Sequence, residues 1–280
     1  MTVTVIGGMN LDFLGVPDGA LVPRDSNPGR VILRPGGVGR NIAFHLRRLG
    51  GEARLITALG QDQHARMLAD ACRRQGIDLS LSVRTDRPCP VYLCIHDERG
   101  EMVAAVSDMD ALTCLTPDQI AVRAAAINAG DACVLDANLP AETLRAAAQK
   151  ISVPLIADPV STAKAPRLRD ILPHLTAVKP NQLEAAALTG ESRPELAAEA
   201  LLKTGVKNVF ISLGPEGVYF AGGRERGLMP APALPAVPLT GPGDALCAGL
   251  TMALIQGKGP RECARLGCQA AYDALMNAEA

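Results

Sequence analysis

The sequence predicts an α/β fold built on a mostly parallel sheet. Two patterns carry that expectation. Short apolar runs alternate along the chain with longer stretches of helical spacing, and the 27 glycines and 21 prolines gather in short runs at the junctions. At 280 residues and 48% hydrophobic content the chain can bury a core as one large domain or two small ones. Aromatic residues make up 2% and tryptophan is absent, so that core is to be built from Ala, Leu, Val and Ile.

The elements follow in order. Thr2 to Ile6 is an apolar strand ending in Gly7-Gly8. Over 39–49 (GRNIAFHLRRL), helical spacing puts Ile42, Leu46 and Leu49 on one face and Arg40, Arg47 and Arg48 on a solvated one, although Arg40 borders the glycine loop and could reach a ligand, and Gly50-Gly51 stops the helix. Ala53 to Leu59 reads as a strand. Asp62 caps a helix that runs to Gln75 and is closed by Gly76. Further strands are expected at 132–135, 154–157, 176–178 and 208–213, with helices near 117–128, 141–150, 181–189, 194–204, 243–256 and 260–276. Residues 13–35 and 84–107 break this rhythm. They alternate in character with no helix between their strands, and read as antiparallel strands inserted between α/β units that could meet in a small sheet of their own.

Composition excludes several roles. With 28 Lys and Arg against 29 Asp and Glu there is no basic surplus for a polyanion, and seven aromatic residues give few stacking platforms for single-stranded nucleic acid. Eight cysteines show no CxxC spacing and no histidine at zinc-ligand distance, which points to free thiols in a reducing cytoplasm. No basic leader precedes the first strand, and no apolar run approaches the ~20 residues of a membrane span. A cytoplasmic protein with neither nucleic acid nor membrane as partner is expected.

Three segments could carry chemistry. In Leu239 to Gly249 (LTGPGDALCAG), Gly241 and Gly243 let backbone approach a ligand, and the amides and dipole of the following helix favour an anion. Asp244 there serves either as an N-cap or, beside a phosphate, as the acceptor of a proton from an attacking hydroxyl. In Pro35 to Asn41 (PGGVGRN), Gly36 and Gly37 precede a helix whose first turn offers Asn41 as donor and acceptor to a hydroxyl, although a structural turn reads equally well. Neither the GxxxxGK[ST] phosphate loop nor the GxGxxG dinucleotide pattern is present, so a nicotinamide cofactor is disfavoured. In Lys179 to Glu184 (KPNQLE), Asn181 and Glu184 form either a capping box or a site for magnesium-bound water.

Taken in order, Gly-x-x-Asn-x-Asp after the first strand, Gly-Gly-x-Gly-x-Asn, Asn-x-x-Glu and Gly-x-Gly-Asp resemble the PfkB, or ribokinase-like, family of sugar and nucleoside kinases. Asp25 to Arg30, Pro35 to Ala43, Asp158 to Ser161, Lys179 to Ala185, and Gly100 to Met102 with Ser107 to Met109 resemble the pseudouridine kinases within it. The resemblance implies a single three-layer α/β/α domain over residues 1–280 with a β-sheet lid from about 13–35 and 84–107, and a homodimer formed through that lid. It implies direct in-line transfer from ATP to the 5′-hydroxyl of pseudouridine, giving pseudouridine 5′-phosphate. Asp244 would be the base, with the amides of 241–244, Gly241 and Gly243 among them, stabilising the transferred phosphoryl group. Asp12 and Asn41 would hold ribose hydroxyls, Asn10, Gly36 and Gly37 would complete the floor, and Asn138 would face substrate or phosphate. Lys179, Thr240, Ser212, Gly214 and Gly217 would line the nucleotide side, with Lys179 either facing phosphates or solvated, and Asn181 with Glu184 would position hydrated magnesium. Another ribonucleoside or a furanose sugar remains open as acceptor, because Asp12 and Asn41 say nothing of a base.

The sequence also departs from the family pattern. Pro242 replaces the usual alanine of Gly-Ala-Gly-Asp and removes one amide donor, which leaves a catalytically weak nucleoside-binding protein as an alternative. Pro238 stands where many relatives carry an aspartate that helps hold a monovalent cation, so potassium activation is expected to be weak or absent. The sequence closes at Ala280, soon after the last helix, so part of the adenine-side wall is expected to be missing or replaced. His45, His64, His96 and His174 are given no role, and Tyr92 is open between base contact and packing.

Overall fold

The computed structural model describes residues 1–233 and 242–277. From the N-terminus, β1 (Thr2–Ile6) leads into two long strands, β2 (Asn10–Pro17) and β3 (Gly29–Gly36), and then α1 (Val38–Arg48). Next come β4 (Glu52–Ile56), β5 (Ala58–Leu59), α2 (Gln63–Arg74), β6 (Val83–Arg84), β7 (Val91–His96) and β8 (Met102–Asp108). Two short helices, α3 (Pro117–Ala121) and α4 (Ala124–Asn128), precede β9 (Ala132–Asp136), α5 (Ala141–Lys150), β10 (Leu155–Asp158) and β11 (Ala177–Val178). The chain continues through α6 (Gln182–Thr189), α7 (Pro194–Lys203), β12 (Asn208–Ser212), β13 (Val218–Gly222), β14 (Glu225–Met229), α8 (Pro242–Ile255) and α9 (Pro260–Met276).

The main sheet runs β14-β13-β12-β11-β10-β9-β1-β4, parallel from β12 to β4 and antiparallel at the β13-β14 edge. Side chains of one strand alternate between two cores. Val3 and Val5 join α1, α2, α8 and α9 on one face, while Ile6, Cys133 and Leu135 join α5, α6 and α7 on the other. The result is a three-layer α/β/α architecture, with the C-terminal ends of β1, β9, β10 and β11 along one rim. Small side chains permit close helix packing where α8 meets α9: a Cβ on Gly249 would lie 2.8 Å from that of Ala270. All eight cysteines are free thiols, and no described helix is long and apolar enough to cross a membrane.

A second sheet, β3-β2-β7-β8, stands apart from the first. Both excursions contribute, but they meet through a parallel β2-β7 pair, so the sheet is mixed where wholly antiparallel strands are expected. Other differences have local causes. The strand expected over 53–59 splits at Thr57, after which β5 leaves the main sheet to pair with β6. The helix expected over 117–128 breaks before Arg123, whose side chain turns back to donate to the carbonyls of Leu81 and Gln119. The β13-β14 hairpin and the 3₁₀ segment Ala165–His174 have no counterpart in the sequence reading.

The glycines ahead of α1 serve the fold before any ligand. Gly37 has φ +96°, and a Cβ there would lie 2.6 Å from the Gly8 carbonyl oxygen; one on Gly39 would lie 2.9 Å from the Gly7 carbonyl carbon. The two glycine turns therefore interlock backbone to backbone, fastened by the Arg40 amide donating to the Gly8 carbonyl at 3.0 Å. Gly37→Ala meets both left-handed strain and a clash, and is expected to destabilise the protein by about 2 kcal/mol or more, measured by denaturant unfolding.

Candidate active site

The rim gathers four ionisable groups from segments far apart in sequence. Asp136 ends β9, Asp158 ends β10, Lys179 follows β11, and Asp244 lies on the first turn of α8. Each strand is apolar until its last residue, so the first polar side chain emerges at the C-terminal edge, where open α/β sheets bind ligands. Asp136 is fully buried and accepts the Gly8 and Asn138 amides at 2.7 and 2.9 Å, holding the glycine turn in place. Burial raises its carboxyl to about 6, Asp158 adding to the shift against those two hydrogen bonds.

Lys179 is 6% exposed, and its Nζ lies 2.8 Å from Asp158 Oδ2 and 3.4 Å from the Gly243 carbonyl. Of the two alternatives for Lys179, this removes the solvated one. Burial pulls its ammonium toward neutrality, but Asp158, Cys247 and Asp244 outweigh that and the net shift is upward.

Asp244 is half-buried, and its Oδ2 accepts Asn41 Nδ2 at 2.9 Å. Desolvation raises its carboxyl to about 7, with Asp158 and Asp136 adding to that and Lys179 and Asn41 opposing it. Asn41 thus bridges from α1 to the start of α8. Asn10 and Asp12 lie across from it on β2, hydrogen-bonded to each other, with Asn10 buried and Asp12 half-buried. Asp12 is raised by burial, against its bond from Asn10 and the charges of Arg40 and Arg34. Gly36 opposes Asn10 in register, and a Cβ there would strike the Asp12 carboxylate.

Arg40 corrects another expectation. Instead of a solvated face it occupies a buried position, 7% exposed, against the ring of Phe44. Asn138 is also buried. Its Oδ1 accepts Lys164 Nζ at 2.6 Å, and its Nδ2 lies against Gly8. Beyond it opens a cavity of about 470 Å³, lined by Ser107, Thr113, Asn138, Lys164 and Arg167 among others. Tyr92 pairs in register with Asp12 on one side and Ser107 on the other, so all three share a face of the small sheet that leads from Asp12 to this cavity.

A second cleft of about 300 Å³ lies on the far side of α8. Ser212, Gly214 and Gly217 line it with Pro242, Gly243 and, from α9, Ala271, Tyr272 and Leu275. Its walls are largely apolar, as suits a flat heterocycle, and its inner end is the N-terminal turn of α8. Asn181 and Glu184 complete a reciprocal capping box at α6, each side chain accepting the other's amide at 2.8 Å. One Glu184 oxygen is free of hydrogen bonds among the described residues, which fits a carboxylate holding a hydrated divalent cation through water. Thr240, Gly241 and Pro238 lie outside the described residues.

Asp136, Asp158 and Lys164 were missed as site residues by the sequence reading, and Arg40 was left open between a solvated face and a ligand contact. The signal for the two aspartates was available, since each is the first charged residue after a run of apolar strand residues. For Arg40 and Lys164 nothing in local periodicity tells a buried cation from an exposed one.

Comparison with known proteins bears on the family and the fold. Residues 2–275 match the description "pfkB family carbohydrate kinase". The pseudouridine kinase of Escherichia coli strain K12 is 34% identical over 264 residues, 91% of this chain and 84% of that protein. Among solved structures, a carbohydrate kinase from Agrobacterium tumefaciens superposes with a TM-score of 0.84 at 34% identity, covering 96% of this chain and 89% of its own. A ribokinase from Thermotoga maritima superposes with a TM-score of 0.86 at 28% identity, covering 97% and 91%.

The Asp244 environment makes a direct prediction. In the unliganded protein its carboxyl should titrate near 7, some three units above an ordinary aspartate, as read from the ¹³Cγ shift against pH.

Proposed function

Because the chain belongs to the pfkB family of carbohydrate kinases, phosphotransferases with an alcohol acceptor, we propose that it transfers the γ-phosphoryl group of ATP to the 5′-hydroxyl of pseudouridine. The observation that carries the nucleoside over a free sugar is the cavity beyond Asn138. It shares the Asn138 wall with the sugar floor, is ample for a six-membered ring, and offers Lys164 Nζ and the Ser107 and Thr113 hydroxyls to a base rich in carbonyl and N–H groups. The 34% identity to a pseudouridine kinase supports the same choice.

In this reading Asp12 and Asn41 hold the ribose hydroxyls over a floor of Asn10, Gly36 and Gly37, and Asn138 separates sugar from base. Asp244 accepts the 5′-hydroxyl proton; a carboxyl raised to about 7 is matched to that task near neutral pH. The amides at the start of α8, with Gly243 among them, face the transferred phosphoryl group, and Lys179 sets a positive charge behind them. The nucleotide lies in the cleft of Ser212, Gly214 and Gly217. Asn181 and Glu184 would hold magnesium through water, where the ion would supply charge neutralisation for the donor phosphates. The small sheet acts as a lid that excludes water over the ribose.

A second acceptor class is favoured by one observation: Asp12 and Asn41 contact nothing that distinguishes a nucleoside from free ribose. Phosphorylation of pseudouridine, uridine and ribose with ATP and magnesium separates the two. Pseudouridine should be turned over fastest, and Asp244→Asn should abolish turnover while nucleoside binding by calorimetry persists. Lys164→Met should raise KM for pseudouridine about tenfold or more and leave ribose within about twofold, in line with the 1–3 kcal/mol left by an unmet buried polar group. Faster turnover of ribose would overturn the nucleoside reading.

The reverse face of the small sheet supports a homodimer. Leu33, Leu93 and Val106 lie in one register row and Val31 and Ile95 in the next, all between 39% and 66% exposed. We propose that two copies pair through this face in the cytoplasm, a setting in keeping with eight free thiols. Light scattering should give a dimer for the native chain and a monomer for Leu93→Glu combined with Val106→Glu.

A further inference from the structure

Arg40 is a cation the proposed mechanism does not use. It is 7% exposed, has no carboxylate within salt-bridge distance among the described residues, and keeps a buried Nε with no partner. A buried guanidinium without a counter-ion is costly, so its other contacts bear on why it is there. Arg40 Nη2 donates to Gln75 Oε1 at 2.6 Å, which anchors the fork to the end of α2. Its Nη1 donates to the Pro35 carbonyl at 3.4 Å and to Asn41 Oδ1 at 3.0 Å.

That last bond has a consequence for Asn41. A carboxamide has two faces, one accepting and one donating, and without a fixed partner it can present either. An acceptor turned toward Asp244 would set oxygen against oxygen. With Oδ1 occupied by Arg40, Nδ2 is the atom that remains to face Asp244, as the 2.9 Å bond records.

Resting on the reading of Asp244 as the base, we propose that Arg40 is a positioning residue: through its bond to Asn41 Oδ1 it fixes the Asn41 carboxamide so that Nδ2 donates to the Asp244 carboxylate. The groups that face Asp244 are Asp136 from β9, Asp158 from β10, Lys179 after β11, Cys247 on its own helix, and Asn41 and Arg40 from α1. The Asp158 and Asp136 carboxyls oppose ionisation, and the Cys247 thiol, itself pushed far upward by burial, stays neutral, so the donors and cations decide how readily Asp244 becomes a base.

The sign follows from charge. A donor to the carboxylate lowers its pKa, so loss of the oriented amide moves the titration of Asp244 upward and carries the acid limb of kcat/KM with it.

The test is a double-mutant cycle between Arg40→Met and Asn41→Ala, read by the ¹³Cγ titration of Asp244 in unliganded protein. Arg40→Met should raise the midpoint by at least half a pH unit in the native background and by no more than a fifth of that in the Asn41→Ala background. With pseudouridine and ATP it should lower kcat about tenfold while leaving KM for ATP within twofold. An unmoved midpoint overturns the proposal, as does a shift of the same size in both backgrounds, which would mean that Arg40 acts through space. If Arg40→Met does not give a cooperative thermal transition, Arg40→Leu, which also lacks a donor to Asn41 Oδ1, takes its place in the cycle with the same outcomes. The titration needs no substrate, so it decides the role of Arg40 separately: a native enzyme silent on pseudouridine, or an active Asp244→Asn, unseats the proposed function alone.

Discussion

The site depends on the contact of Lys179 with Asp158. One ammonium, almost wholly removed from water, reaches the end of β10 through Asp158 Oδ2 and the start of α8 through the Gly243 carbonyl. Three structural segments are tied by one charge. A pair of this kind adds little net stability compared with apolar residues of the same shape, but removing one partner strands the other at a cost of about 3–5 kcal/mol. Its value is therefore positional. It keeps the first turn of α8, and Asp244 with it, at the rim where β9, β10 and β11 end.

The same charge governs the chemistry. Desolvation first, and then the repulsion of neighbouring carboxylates, raises Asp136 to about 6 and Asp244 to about 7, with Lys179 opposing the shift of Asp244. A more generous supply of cations would keep Asp244 an ordinary carboxylate, too weak a base for the proposed transfer. The fold instead gives most of Lys179 to Asp158 and leaves Asp244 with a neutral donor, Asn41, 203 positions away in sequence. That arrangement requires α1 to be placed accurately against β1, which the backbone contacts of Gly37 and Gly39 with the Gly7-Gly8 turn achieve, with the Asp136 carboxylate holding the Gly8 amide.

Much of this was legible in the sequence because it is local. The alternation of apolar runs with helical spacing gave the parallel sheet and its helices, and Asp62, Gly76 and the Asn181–Glu184 cap sat where their chemistry requires. The four glycine- and asparagine-bearing motifs were visible as motifs, and the structure brings Asn41 and Asp244 into contact. What could not be read was long-range. Arg40 lies off the apolar stripe of α1 and so looked solvated; it is buried only because α2 and the β3 turn close over it. Likewise Lys179 was ambiguous until β10 supplied Asp158 beside it. The parallel β2-β7 pairing was hidden for the same reason, since period-two alternation is the same in parallel and antiparallel strands.

Pro242 changes the terms on which the start of α8 meets an anion. As the first residue of the helix, a proline loses no intrahelical bond, and its fixed φ stiffens the turn. It does remove one of the outward amides of that turn, and where such donors have been deleted one at a time in enzymes the loss is about 10²–10³ in rate. The Gly243 and Asp244 amides remain, along with the helix dipole. Behind them stands Lys179, whose Nζ would lie 3.4 Å from a Cβ on Gly243. A full charge at that range is less directional than an amide but is barely screened in a buried setting. In the proposed transfer the anion site therefore rests more on buried charge and less on directed hydrogen bonds. On that proposal Lys179 would have two roles at once, bracing the helix that carries Asp244 and offsetting the amide that a proline lacks.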